Sequence, residues 1–442
     1  MRILFVLALL TIIGCQKEKS SALESDDNAT QSSINDWSDN PWPAIRTERI
    51  NTLLPDALNE AGVDAWLVIC RENNNDPLAD HIGGQNAGGE AAFLFFNAPN
   101  GFRSMVFSPS GEATALADLK IHDTVIAVKR GKSAILQAVD FINSAEIETL
   151  ALNFSQTNNV ADGLSYTQYE KIKSRIDSAL KLVSSTGLVY NWLSIKLPQE
   201  VAIMREAAQL TSDWQYEVYN KVQPGKTTDA DVAAMLKDKM KAHGVKDGWA
   251  PDQNPNVNSG ADRGHSHATD KIIRPGDVIQ IDFGIKLYDR WVSDIQRFAY
   301  VLRAGENKAP DSLQAYWEAA KAGSRAALAA MKPGVKGVDV DKAQRVVMEK
   351  AGSEYVMWST GHPVGYVAHD VGPNLGGSQS SHVRPASEKL LKEGMTFAYD
   401  GFYAWKLNAE EVKTISVEEM VVITADGAEY LIAPQEELIL ID

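Results

Sequence analysis

Short apolar runs and helical periodicities alternate through the first part of this chain. The pattern predicts a helix that opens near Trp42, runs through Ile50, Leu53, Leu54 and Leu58, and closes at Gly62. Strands are predicted at 66–70, 91–96, 105–107, 125–128 and 149–152, with further helices near 134–141 and 167–181. Strands interleaved with helices describe an α/β domain, spanning 41–190. Its glycine pairs, Gly83-Gly84 and Gly88-Gly89, read as loop glycines and not as a G-x-G-x-x-G phosphate loop. A boundary is read near 185–191, where a second domain, 191–442, begins.

The second domain repeats itself. A long helix over 198–221 stops at Pro224-Gly225, and Thr228 with Asp231 resembles a capping box for a helix ending at His243-Gly244. Later in the chain a helix over 316–331 ends at Pro333-Gly334, and another over 340–351 ends at Gly352. A hairpin-like stretch follows each pair, so the layout is a helix–helix–hairpin unit present twice.

The hairpin between the two pairs carries candidate chemistry. Gly276-Asp277-Val278-Ile279-Gln280-Ile281-Asp282-Phe283-Gly284 is an alternating apolar run, Tyr288-Asp289-Arg290 a turn, and a second run leads from Trp291 to Val301. Asp282 and Asp294 therefore sit inside strand pattern, where an unpaired carboxylate is costly to bury. Two acids facing each other across paired strands repel unless something positive lies between them, and a divalent metal is the favoured reading. Four of the chain's eight histidines fall in two short segments beside this hairpin, His265 and His267 before it, His362 and His369 after it. Asp400 and Glu418 lie in apolar strand pattern like Asp282. Carboxylates with one imidazole suit Mn, Co, Fe or Zn, and four carboxylates suit two ions better than one.

Composition changes this picture in two places. The formal net charge of −15, without a Lys/Arg run, argues against a nucleic-acid partner. At the start, Arg2 precedes an apolar run over 3–13 and then Gly14-Cys15, too short to span a bilayer comfortably and laid out as a secretory signal. Ile12-Ile13-Gly14-Cys15 resembles a bacterial lipobox. That resemblance implies a lipoprotein signal peptide at 1–15, a lipidated Cys15, export to the cell envelope, and membrane contact through the anchor only. Gln16 after the cysteine favours the outer membrane in a Gram-negative cell. Residues 16–40, rich in Ser, Asp and Asn, read as a disordered tether. Only Cys70 remains, in a buried-strand pattern, so the mature chain has no internal disulfide.

Taken in order, Asp282, Asp294, His362, Asp400 and Glu418 resemble the five metal ligands of the M24 metallopeptidases, the group of Xaa-Pro aminopeptidases, prolidases and methionine aminopeptidases. The Gly-Asp-x-x-x-x-Asp-x-Gly, Gly-His…His-Asp and Val-Glu-Glu-Met segments carry the resemblance together, and it spans 198–442. It implies an α+β pita-bread catalytic domain, whose two-fold repeat matches the duplication, preceded by an α/β creatinase-type N-terminal domain. It implies two divalent metal ions, Mn foremost, with Co, Zn or Fe as alternatives. Asp282 would chelate one, Asp294 and Glu418 would bridge, and His362 and Asp400 would complete a shell. A shared water or hydroxide would attack the scissile carbonyl of a peptide. His369 matches the family histidine that hydrogen-bonds the substrate and tetrahedral intermediate. The upstream catalytic histidine is His265 by its distance from Asp282, with His267 as the alternative and a substrate-binding residue. Relatives of this type are often dimers, so a homodimer is expected.

Three positions depart from the family pattern. Asp400 stands where the ligand is usually Glu, Ser416 where an Arg often precedes the last Glu, and Trp358 where prolidases carry a His. Together they argue against a dipeptidase-type proline site and leave metal-assisted hydrolysis intact. The expected activity is that of an Xaa-Pro aminopeptidase-like exopeptidase. Three other readings stay open: a non-peptide C–N hydrolase resembling creatinase, a metal-dependent lyase acting on a small-molecule substrate, and a peptide-binding pseudo-peptidase.

Overall fold

Helix α1 (Trp42–Ala61) buries Ile45, Ile50, Leu54 and Leu58 along one face and ends at Gly62, whose φ of 64° is the left-handed conformation that closes helices. The structure, a computed structural model, describes residues 39–264 and 266–442; the apolar run, Cys15 and His265 lie outside the described residues. There follow β1 (Ala65–Cys70), β2 (Ala91–Ala98), β3 (Gly101–Pro109), α2 (Ala113–Asp118), β4 (Thr124–Val128), α3 (Ala134–Ser144), β5 (Thr149–Leu152), α4 (Tyr166–Lys173), β6 (Lys181–Ser184) and α5 (Thr186–Leu193). The six strands form one mixed sheet in the order β4-β3-β2-β1-β5-β6. Central β1 is buried throughout, which is why it reads as an unbroken apolar run.

One predicted helix end moves, and a segment read as a boundary carries a helix. Helix α4 ends at Lys173 and not near 181, because Ser174 and Asp177 hydrogen-bond the local backbone and turn the chain into β6. The segment read as a boundary at 185–191 is mostly α5, which buries Leu188, Val189, Trp192 and Leu193 in the same core as α1.

The chain continues through α6 (Pro198–Tyr219), α7 (Asp229–His243), β7 (Lys246–Asp247), β8 (Asn256–Ser259), β9 (Val278–Phe283), β10 (Ile285–Leu287), β11 (Trp291–Val292) and β12 (Ile295–Val301). It ends with α8 (Asp311–Ala330), α9 (Gly337–Lys350), β13 (Gly361–Pro363), β14 (Thr396–Lys406), β15 (Val412–Ile423), β16 (Ala428–Tyr430) and β17 (Ile439–Ile441). The Thr228–Asp231 capping box is present, with Asp231 N donating to Thr228 Oγ1 at 3.0 Å and Thr228 N to Asp231 Oδ2 at 2.8 Å. The duplicated layout is visible as two helix pairs and two four-stranded sheets, β17-β12-β9-β8 and β13-β14-β15-β16. Residues Asn40–Asp442 pack as one unit, and one of its apolar clusters runs from α1 to Trp291, Ile295 and Met420. Among the described residues no helix is long and apolar enough to cross a membrane.

The acid-bearing hairpin is split rather than continuous. β9 and β12 pair antiparallel, with Asp282 opposite Gln296 and not opposite Asp294. Past Gly284 the hairpin passes into a separate sheet, β11-β10-β7, and Asp294 occupies the break between β11 and β12. A Cβ at Gly284 would collide with the carbonyl oxygen of Ser293, so only glycine permits the two segments to cross there. Gly401 is needed for a similar reason: its Cα lies against the backbone of α8, which presses β14 into place beside Asp400.

Candidate metal centre

Strand pleat decides which side chains meet. Residues two apart share a face, and the pairs Gln280/Asp282, Asp294/Gln296, Asp400/Phe402 and Ser416/Glu418 all line one cavity of about 990 Å³. Asp400 and Glu418 face each other across β14 and β15. His362, on β13, brings Nε2 to 3.7 Å from Asp294 Oδ2 and 3.8 Å from Glu418 Oε1. One ligand atom from each of these three residues lies within 4.8 Å of the other two. His369, in the loop after β13, sets its ring edge-on to that of His362 with 4.2 Å between centroids.

All four acids are buried, none more than 8% exposed. Burial raises the Asp282 carboxyl to about 7. Burial, reinforced by Asp282 and Asp400, pushes Asp294 well above the carboxylate range. Glu418 is raised by burial and by Asp294, Asp400 and Asp282 in turn. Asp400 is raised by burial and Asp282, with Arg345 acting against them. Asp400 Oδ1 and Glu418 Oε2 are buried without a hydrogen-bond partner among the described residues. Neighbouring Glu419 shows the contrast. It points to the other face of β15, where Arg297 Nη1 and Nη2 donate to its two oxygens at 2.9 and 3.0 Å and Gln435 N adds a third bond at 2.7 Å. The protein neutralises Glu419 itself and leaves Glu418 aimed at the cavity. Buried carboxylate oxygens with one imidazole are a donor set that fits divalent ions.

The sign of the titration gives a test. With their pKa values raised, the acids keep protons in the folded metal-free protein that the unfolded chain has released above about pH 4. Stability of the metal-free protein therefore falls as pH rises from about 4 through about 7, and a metal that replaces those protons stabilises more at the upper end. Mn²⁺ should raise the melting temperature more at pH 8 than at pH 5.5. At free ion of 100 times Kd the gain at a single site is about 2.7 kcal/mol. Equal shifts at both pH values would contradict the cluster as the binding site.

His267 is exposed and is not among the cavity-lining residues, although Gly264, on the same segment, is. His265 lies outside the described residues. The cavity is also lined by a neutral trio, of which only Ser416 was singled out in the sequence: Gln280 Nε2 donates to Gln296 Oε1 at 2.5 Å, and Ser416 Oγ donates to the same oxygen at 2.6 Å. Its signal was present, since each member lies two residues from a site acid. Trp358 and Met357 line the cavity as exposed apolar residues, and the Trp358 carbonyl accepts from Arg345. Exposed Arg384 is the only Lys or Arg among the described lining residues.

The architecture is shared with the X-Pro aminopeptidase of Thermotoga maritima at a TM-score of 0.64 and 21% identity, over 87% of this chain and 100% of that one. It is shared equally with dipeptidase PepE of Mycobacterium ulcerans at a TM-score of 0.65 and 22% identity, over 90% and 98%. With its acid-and-imidazole cluster, this fold defines the pita-bread class of metallohydrolases, here with an N-terminal α/β part. Residues 202–425 match the model of metallopeptidase family M24, and the chain belongs to that family. It is a metal-dependent peptidase. The uncharacterized peptidase YqhT of Bacillus subtilis is 27% identical over 316 residues, 71% of this chain and 81% of that protein.

Proposed function

We propose that this peptidase is a dinuclear exopeptidase acting like an Xaa-Pro aminopeptidase, with Asp282, Asp294, His362, Asp400 and Glu418 as its metal ligands. Four buried carboxylates and an imidazole lining one peptide-sized cavity, two of the carboxylate oxygens lacking a hydrogen-bond partner among the described residues, carry this reading. When bound, divalent ions supply Lewis acidity toward a carbonyl and activate water near neutral pH. The chain's own residues bind and orient. The Gln280–Gln296–Ser416 trio offers hydrogen bonds to a peptide without demanding a charge, and Trp249, Met357, Trp358 and Phe402 supply apolar surface for its side chains. His369 hydrogen-bonds the substrate carbonyl beside the ligand cluster. The fold shared with an X-Pro aminopeptidase agrees with this reading. The same proposal keeps Cys15 as a lipidated anchor in the cell envelope, supported by the 3–13 run and Gly14-Cys15, and keeps the homodimer that the family resemblance implies.

One observation favours a second reading. Arg384 stands at the cavity as the counter-charge that the C-terminal carboxylate of a dipeptide would seek. Mn- or Co-loaded protein assayed on Xaa-Pro dipeptides, Xaa-Pro-Yaa peptides and proline-free peptides separates the two. Release of the N-terminal residue from Xaa-Pro-Yaa, with two ions per chain, is expected. Cleavage confined to dipeptides would favour the second reading, and a protein that holds no metal and cuts nothing would sink both.

A further inference from the structure

The loop that carries His369 is held from below by a buried polar chain that begins on α1. Residues 364–371 form no helix or strand. Asp370 N donates to Pro363 O at 2.9 Å, and the Asp370 carboxylate accepts from Tyr366 N at 2.9 Å and Val371 N at 2.7 Å. Lys196 Nζ stands 3.3 Å from the same carboxylate, and both side chains are buried. A Cβ at Gly365 would strike Lys196 and Asp370, so the loop is packed onto this pair without slack. Tyr366 then reaches away from the cavity and donates its hydroxyl to Glu200 Oε1 at 2.6 Å. Glu200 Oε2 accepts from Arg49 Nη1 at 2.5 Å and from Leu197 N at 2.9 Å. Arg49 and Glu200 are both 0% exposed, and Arg49 also donates to the carbonyls of Ile195 and Trp192.

We infer that Arg49, acting through Glu200 and Tyr366, is a positioning residue for His369, so that α1 belongs to the catalytic apparatus. A buried ion pair adds little net stability over an apolar pair of the same shape. Arg49 and Glu200 instead fix the Tyr366 hydroxyl, which shares Glu200 Oε1 with Trp291 Nε1 at 3.2 Å, and Tyr366 and Lys196 together fix Asp370, the residue that follows His369. A histidine that must meet a substrate carbonyl is sensitive to displacement on the order of 1 Å, worth up to about 10²-fold in rate.

The inference rests on the proposed role of His369 and is tested apart from it. Tyr366→Phe removes one hydroxyl, keeps the ring and leaves the fold intact. Its metal content and KM should match wild type, kcat should fall roughly 10-fold, and backbone hydrogen exchange should quicken in 364–371 alone. Arg49→Met should behave likewise with a larger loss, and Arg49→Lys should recover part of it; if Arg49→Met fails to fold, Tyr366→Phe carries the test. Wild-type kcat in folded, metal-loaded Tyr366→Phe would overturn the inference, as would a loss that merely tracks metal content. If His369→Ala is itself fully active, the reading of His369 fails; if His369→Ala is inactive while Tyr366→Phe is wild-type, only the link to α1 fails.

Discussion

Asp294→Ala should lose its metal ions and lower kcat/KM by at least about 10³-fold, the cost of several kcal/mol of metal-derived transition-state stabilisation. Asp294 sits in the break between β11 and β12, with its carboxylate toward both His362 and Glu418. No other residue of the set is placed to replace it, because Asp282 lies two positions away in register and opposite Gln296. The same substitution removes a buried acid that Asp282 and Asp400 repel. The metal-free variant should therefore melt no lower than metal-free wild type near pH 8, a combination that simple misfolding does not produce. Metal per chain by plasma mass spectrometry, activity, and melting with and without chelator check it. Wild-type metal content with wild-type activity would refute the ligand assignment.

What could be read from the sequence follows from how local each cause is. Asp282, Asp400 and Glu418 were legible because a strand has a period of two and an acid inside an apolar run breaks it. Gln280 and Gln296 were as legible by the same spacing, but amides are ordinary in half-buried strands and raise no alarm, and Ser416 stood out only through the family resemblance. The split of the hairpin was not legible: it depends on Gly284 passing the Ser293 carbonyl, a contact between the two points where the chain leaves one sheet for the other. The chain from Arg49 through Glu200 to Tyr366 was further out of reach, since its links join residues 151 and 166 positions apart. Helix α5 was missed because Leu188-Val189-Tyr190-Asn191-Trp192-Leu193 is too short and too apolar to show a helical period. Such runs take their structure from the core they enter.

His369→Ala should leave the metal content unchanged and cut kcat by about 10²–10³-fold, the scale of losing one donor to the developing oxyanion. Its ring packs against that of His362, so a drop in activity alone would not separate lost substrate contact from a disturbed ligand. Two comparisons do. A disturbed ligand lowers metal affinity, typically 10–100-fold when a supporting group is removed, whereas lost substrate contact leaves affinity intact. His369→Gln, which keeps a hydrogen-bond donor but not the ring, should recover part of kcat if the contact is to substrate, and none if the ring serves only to brace His362. Placed beside Asp294→Ala, which loses metal and activity together, a His369 variant that loses activity alone would assign the two residues different work in one cavity.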